Sequence, residues 1–243
     1  MEVQDVKLDW KNFEPLFGSW AFKIKPFFDK GGMEPIYKFL KKEARRGKRI
    51  CPLSENTFRA FQETPFNELK VVIMGLSPYH TFYNGKPIAD GICMSCSITK
   101  KLQPSLLKFY EEIERTLYNG LNLHIVQNPD LKYLSNQGIL LTNVGYTCEK
   151  DKPGSHNSIW SDFTKFLIED VLSGTGVPIV FLGKEASKYS NYVPIFTHHF
   201  EISHPASAAY SGTDWDSEGV FKQLNKILKD SNNESISWMM IDQ

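Results

Sequence analysis

Four short apolar runs, Val71–Met74, Ile139–Leu141, Pro178–Leu182 and Phe200–Ile202, punctuate this chain. Each is too short for a helix, and the first three are uniformly apolar rather than alternating, while Phe200–Ile202 carries Glu201 at its centre. Between them lie segments of helical period. Leu106, Leu107, Tyr110, Ile113 and Leu117 follow Pro104-Ser105. Phe163, Phe166, Leu167 and Val171 are closed by Gly174, and Val220, Phe221, Leu224, Ile227 and Leu228 come near the end. Buried parallel strands read as continuous apolar runs because helices cover both of their faces. The chain is therefore expected to be a three-layer α/β sandwich with a central four-stranded, mainly parallel sheet flanked by helices. With no repeat, low-complexity tract or linker, residues 1–243 are read as one domain.

In such a sheet, ligands bind beyond the carboxyl ends of the strands. The four runs end in Gly75-Leu76-Ser77-Pro78-Tyr79-His80, Thr142-Asn143, Gly183-Lys184 and Ser203-His204-Pro205-Ala206-Ser207. Two histidines, an amide, a tyrosine and several hydroxyls are thus predicted to converge on one edge. Singly, each is the ordinary polar residue of a turn. In this order they form a pattern.

Gly75-Leu76-Ser77-Pro78-Tyr79-His80 resembles the water-activating G-Q-D-P-Y-H turn of the uracil-DNA glycosylases. Gln137-Gly138-Ile139-Leu140-Leu141-Thr142-Asn143 is similar to their Q-G-V-L-L-L-N segment, and Gly91-Ile92-Cys93-Met94-Ser95 to G-L-C-F-S. Ser155-His156-Asn157-Ser158-Ile159-Trp160 resembles N-S-H…W, and His204-Pro205 the H-P-S-P loop. The likeness runs from Arg49-Ile50-Cys51-Pro52 to about Leu228.

The resemblance implies that a pyrimidine nucleotide is rotated out of DNA and read on its Watson–Crick edge. Asn143 takes the role of the base-reading amide, which can both donate and accept. Tyr79 is the wall at C5, and His204 the donor to the leaving base. It also implies DNA contacts from His80, Ser105, Ser155, His156 and Ser207. No cofactor or metal is implied, and a monomer acting on single- or double-stranded DNA is expected.

Several departures bear on function. Ser77 stands where the family carries its catalytic aspartate, and Leu76 where it has glutamine. A hydroxyl can hold water but brings no charge, and removing one electrostatic element aimed at a transition state costs roughly 10²–10³ in rate. Met94 replaces the phenylalanine that stacks on the base and is a softer filler. The segment from Thr81 to Asp90 is longer than its counterpart. Ala206-Ser207-Ala208-Ala209 lacks the leucine wedge, which leaves Tyr210, or Phe82 or Tyr83, as the aromatic to fill the gap. Asp90 is a candidate substitute carboxylate, but the stronger reading is a surface turn residue before Gly91.

Other features carry less. Cys93 and Cys96 have the spacing of a metal or redox pair, but on a strand their sulfurs would point to opposite faces. His198-His199 reads as a strand-end coincidence, and Ser105 and Ser158 as helix N-caps. Lys41, Lys42, Arg45, Arg46, Lys48 and Arg49 read as a solvated helix face and turn. Net charge is zero, from 28 basic and 28 acidic residues, so composition gives no general pull on nucleic acid. Hydrophobic residues make up 41% and no apolar run approaches the ~20 that span a bilayer. Four cysteines do not make a disulfide framework, so an intracellular setting, cytoplasm or nucleoid, is expected.

Two functions remain open at this stage. One is a monofunctional DNA glycosylase hydrolysing the N-glycosidic bond of uracil or a modified pyrimidine. The other is a catalytically impaired DNA- or base-binding protein of the same fold, a scaffold or sensor in replication or viral defence.

Overall fold

A computed structural model describes residues 8–119, 121 and 124–242. Its strands are β1 (Ile50–Cys51), β2 (Val71–Gly75), β3 (Phe82–Tyr83), β4 (Lys86–Pro87), β5 (His124–Val126), β6 (Ile139–Asn143), β7 (Cys148–Glu149), β8 (Ile179–Leu182), β9 (His199–Ile202) and β10 (Met240–Asp242). The helices are α1 (Trp10–Phe17), α2 (Ala21–Asp29), α3 (Met33–Arg45), α4 (Arg59–Glu63), α5 (Pro104–Ile113), α6 (Lys132–Ser135), α7 (Asn157–Phe166), α8 (Lys184–Ser187), α9 (Pro205–Ser211) and α10 (Val220–Asp230). The predicted four runs form one sheet in the order β6-β2-β8-β9, parallel throughout.

Successive strand residues point to opposite faces, and the core divides accordingly. Val71, Ile73, Ile139, Leu141, Val180 and Leu182 pack beneath α5 and α10. Val72, Met74, Leu140, Ile179 and Phe181 pack against an aromatic layer built by α1, α2, α4 and α7. In that layer Phe17, Phe58, Phe61, Tyr146, Trp160 and Phe163 meet at centroid distances of 4.4–6.3 Å, the range in which aromatic pairs attract. The polar ends are satisfied: Trp20 Nε1 donates to the Thr64 carbonyl at 2.7 Å, and Thr64 Oγ1 to that of Ile139 at 3.0 Å. Helices α5 and α7 both continue as wider π turns, Glu114–Tyr118 and Leu167–Leu172. Among the described residues no helix is long and apolar enough to cross a membrane.

Several local expectations are corrected. The N-cap of α5 is Gln103, with Pro104 as first helical residue, so Ser105 lies inside the helix. Ser158 likewise lies inside α7, behind His156. Cys93 and Cys96 sit in turns, not on a strand. The long Thr81–Asp90 segment is a β3–β4 hairpin whose tip, Asn84-Gly85, takes positive φ at both residues, the geometry an Asn-Gly hairpin turn supplies.

Asp90 is neither a surface turn residue nor a cleft carboxylate. It is 2% exposed. Its oxygens accept from Ser95 Oγ at 2.7 Å, Ser97 Oγ at 2.6 Å and the Ser97 and Ile92 amides, and pair with Arg59 Nη1 at 3.0 Å. Truncating one partner of a buried ion pair strands the other charge and typically costs about 3–5 kcal/mol. Asp90→Ala should therefore lower stability by at least about 2 kcal/mol, since Arg59 keeps Asp130 and Glu63 as partners. Urea unfolding of variant and parent checks this; an unchanged midpoint would remove Asp90 from the framework.

Candidate active site

The parallel register places Gly75 opposite Asn143 at the carboxyl edge. A Cβ on Gly75 would lie 2.7 Å from Asn143 Oδ1 and 2.6 Å from Cys93 Sγ, so glycine leaves the room in which the amide stands. Asn143 is 7% exposed, and no group among the described residues hydrogen-bonds its amide. Its polar atoms are not among those sealed from solvent without a partner, so the amide is open to whatever enters beside it. It faces a cleft of about 600 Å³ that is also lined by Ser77, Tyr79, Met94, His204 and Tyr210. Such a volume suits a small organic ligand.

Tyr79 is pinned in place. Its hydroxyl and Ser105 Oγ are 2.8 Å apart, and its ring packs on the core. Burial pushes its phenol far above the ordinary range, so it remains neutral. Ser77 Oγ accepts from the Gly154 amide at 3.0 Å, which leaves its own O–H to donate. Met94 holds positive φ, 60°, a strained geometry for a residue with a Cβ. Cys93 beside it has its thiol pushed up to about 12 by burial, so it is protonated. The Leu76 carbonyl accepts from the Gly145 amide, tying the loop to β6's exit.

On the other wall His204 precedes α9 and caps it: the Ala206 amide donates to Nδ1 at 3.0 Å. In the neutral ring the proton therefore sits on Nε2. Burial lowers its pKa to about 4, so the ring is neutral at physiological pH. Gly183, at φ 86°, ends β8 within 3.0 Å of His204 Cβ when given a Cβ of its own, so only glycine suits this crossing.

The structure brings Leu76, Ser77, Tyr79, His80, Met94, Ser105, Asn143, His204 and Tyr210 to the cleft. His80 Nδ1 is buried there without a partner among the described residues. Tyr210 stands 87% exposed on the rim, whereas Phe82 is held beneath the Arg49 guanidinium at 3.9 Å. Ser155 and Ser207 are outside the lining, their hydroxyls engaged by the Glu149 amide and the His204 carbonyl. His156 is corrected: it is 3% exposed, bonded to Thr147 Oγ1 at 3.0 Å and set edge-on to Phe39, a core residue rather than a DNA contact. Sequence reasoning assigned no role to Lys184 and Glu185, which line the cleft just past β8. Their position after a strand end was the available signal. The residues present offer no metal cluster among those described.

Comparison with known proteins agrees with this geometry. Residues 61–229 match the sequence profile of the Uracil DNA glycosylase superfamily. A uracil-DNA glycosylase of Pseudomonas aeruginosa is 34% identical over 232 residues, covering 93% of this chain and 96% of its own. One from Borrelia hermsii is 33% identical over 226 residues, covering 90% and 96%. Among solved structures, the crystal structure of mimivirus uracil-DNA glycosylase superposes with a TM-score of 0.82 at 24% identity, covering 96% of this chain and 90% of that one. The chain belongs to the uracil-DNA glycosylase superfamily.

Proposed function

We propose that this protein is a monofunctional DNA glycosylase that extrudes uracil from DNA and hydrolyses its N-glycosidic bond, leaving an abasic site. The observation that carries this reading is the unpartnered Asn143 amide, held open by Gly75 opposite the fixed ring of Tyr79. Its NH₂ donates to O4 and its oxygen accepts from N3–H. Cytosine presents the reverse pattern and is rejected. Tyr79 occupies the space a C5 methyl needs, and its bond to Ser105 keeps it there, which favours uracil over C5-modified pyrimidines. As the C1′–N1 bond breaks, the electron pair leaves with the base and charge accumulates on O2, where His204 Nε2–H donates. A neutral donor suits this step, since it stabilises the anion without having to lose a proton. Ser77 orients the water that adds to C1′. Tyr210, the free aromatic on the rim, fills the space the base vacates.

A second reading, a binder with little or no excision, is favoured by Ser77 alone: nothing at that position carries the negative charge that opposes a cationic sugar. Single-turnover assays on uracil-containing oligonucleotides separate the two. Ser77→Asp should raise excision by about 10²-fold, the usual weight of one such electrostatic element. No abasic sites from either protein, on uracil or on hydroxymethylated or glucosylated pyrimidines, would leave the binder.

Gly75→Ala should push the Asn143 amide aside while leaving the fold intact, because the clashing atoms are side-chain ends. Losing its bonds to the base costs about 1–3 kcal/mol, hence roughly 5–150-fold in uracil excision. Parent-like activity would dismiss Asn143 as the reader.

The pH dependence follows from His204. Burial opposes the protonated ring, so the neutral ring, with Nδ1 accepting from Ala206 and Nε2–H donating, persists until pH falls through about 4 rather than 6.5. Excision should show no acidic limb near 6.5. A limb there that disappears in His204→Gln would contradict the assignment.

A further inference from the structure

Directly behind the Ser77 loop, β1 and β7 form a two-residue antiparallel ladder in which Cys51 stands opposite Cys148. Both thiols are free and fully buried. Directly opposed residues in such a ladder share a face, with Cα atoms about 4.5–5.5 Å apart. That lies inside the disulfide window of about 4.4–6.8 Å. The pair forms its own small cluster with Ala89, under Tyr79 and Phe82. The single S–H of Cys148 faces both Cys51 and the carbonyl oxygen of Pro78, 3.4 Å away. The thiols therefore touch the loop that carries Ser77, Tyr79 and His80.

We propose that Cys51 and Cys148 are a peroxide-reactive dithiol whose oxidation to a disulfide releases the Pro78 carbonyl and loosens the 76–80 loop. The Cys51 sulfur attacks one peroxide oxygen, forming S–O as O–O breaks, and the first water leaves. The Cys148 sulfur then attacks the sulfenic sulfur of Cys51, forming S–S as S–O breaks, and the second water leaves. Two thiols and one hydrogen peroxide thus give one disulfide and two waters, with the sulfurs oxidised and the peroxide reduced. The order follows from the surroundings. A hydrogen bond from Cys148 lowers the Cys51 thiol, against burial and the charge of Asp151 and assisted by Arg49 and Lys150, whereas the bond to Cys51, then burial, raises Cys148. Peroxide reaches the pair by local opening of a ladder only two residues long. Once the disulfide forms, Cys148 has no proton to give to Pro78.

The test uses the full chain and no base-excision assay, so its failure leaves the proposed activity untouched. After hydrogen peroxide treatment the protein is denatured, alkylated, digested and mapped by mass spectrometry. The expected product is a Cys51–Cys148 peptide pair that dithiothreitol cleaves, with Cys93 and Cys96 still alkylated. Amide hydrogen exchange of Gly145, Asp151 and Gly154, which donate to the Leu76 carbonyl, the His80 carbonyl and Ser77 Oγ of the loop, should quicken by roughly tenfold in the oxidised form, as local protection is lost. Cys51→Ser should show neither change on peroxide treatment. Recovery of both cysteines as alkylated thiols would overturn the proposal, and so would a disulfide that leaves the exchange of those amides unaltered.

Discussion

The pairing of β2 with β6 sets Gly75 against Asn143, and the cleft takes its shape from that register. A shift of one residue would turn the apolar set of β2 to the wrong layers, because the side-chain period along a strand is two. Register and the room around the Asn143 amide are thus one constraint. Both layers of core hold the strand in place, and the absent side chain at Gly75 gives the amide its room. The strand's last residue is small because it ends where a ligand begins.

The second determinant is charge, or its scarcity. Ser77 brings none, the neutral His204 brings none, and burial keeps Tyr79 and Cys93 protonated. Among the described residues lining the cleft, Lys184 is the only lysine or arginine and Glu185 the only carboxylate. A ligand entering this cleft would meet mainly dipoles and shape. On the function proposed above, phosphate would be placed by backbone amides and hydroxyls, groups that position without a long-range field.

The sheet, its order of strand ends and most of the cleft were legible because each rests on a local signal: a short apolar run, then a polar residue. Asn143, Tyr79 and His204 follow their strands directly. What escaped the sequence depends on partners far along the chain. Asp90 is a framework residue because Arg59 and two serines surround it, and His156 is internal because Thr147 and Phe39 close over it. Neither contact leaves a trace near Asp90 or His156 themselves. The Asn84-Gly85 hairpin, by contrast, carried a readable two-residue turn signal. Cys51 and Cys148 are 97 positions apart and meet only through the β1–β7 ladder.

The two walls of the cleft differ mechanically. On one side Ser77 and Tyr79 follow β2, an inner strand, and Asn143 ends β6, an edge strand that is nevertheless buried along its whole length as β2 is. On the other, His204 and Tyr210 hang from β9, an edge strand with one neighbour and outward residues facing solvent. The compliance of the site is therefore lopsided. The wall carrying Asn143 and Tyr79 is backed by core on both faces of its strands, whereas the wall carrying His204 and Tyr210 is backed by core on one face only.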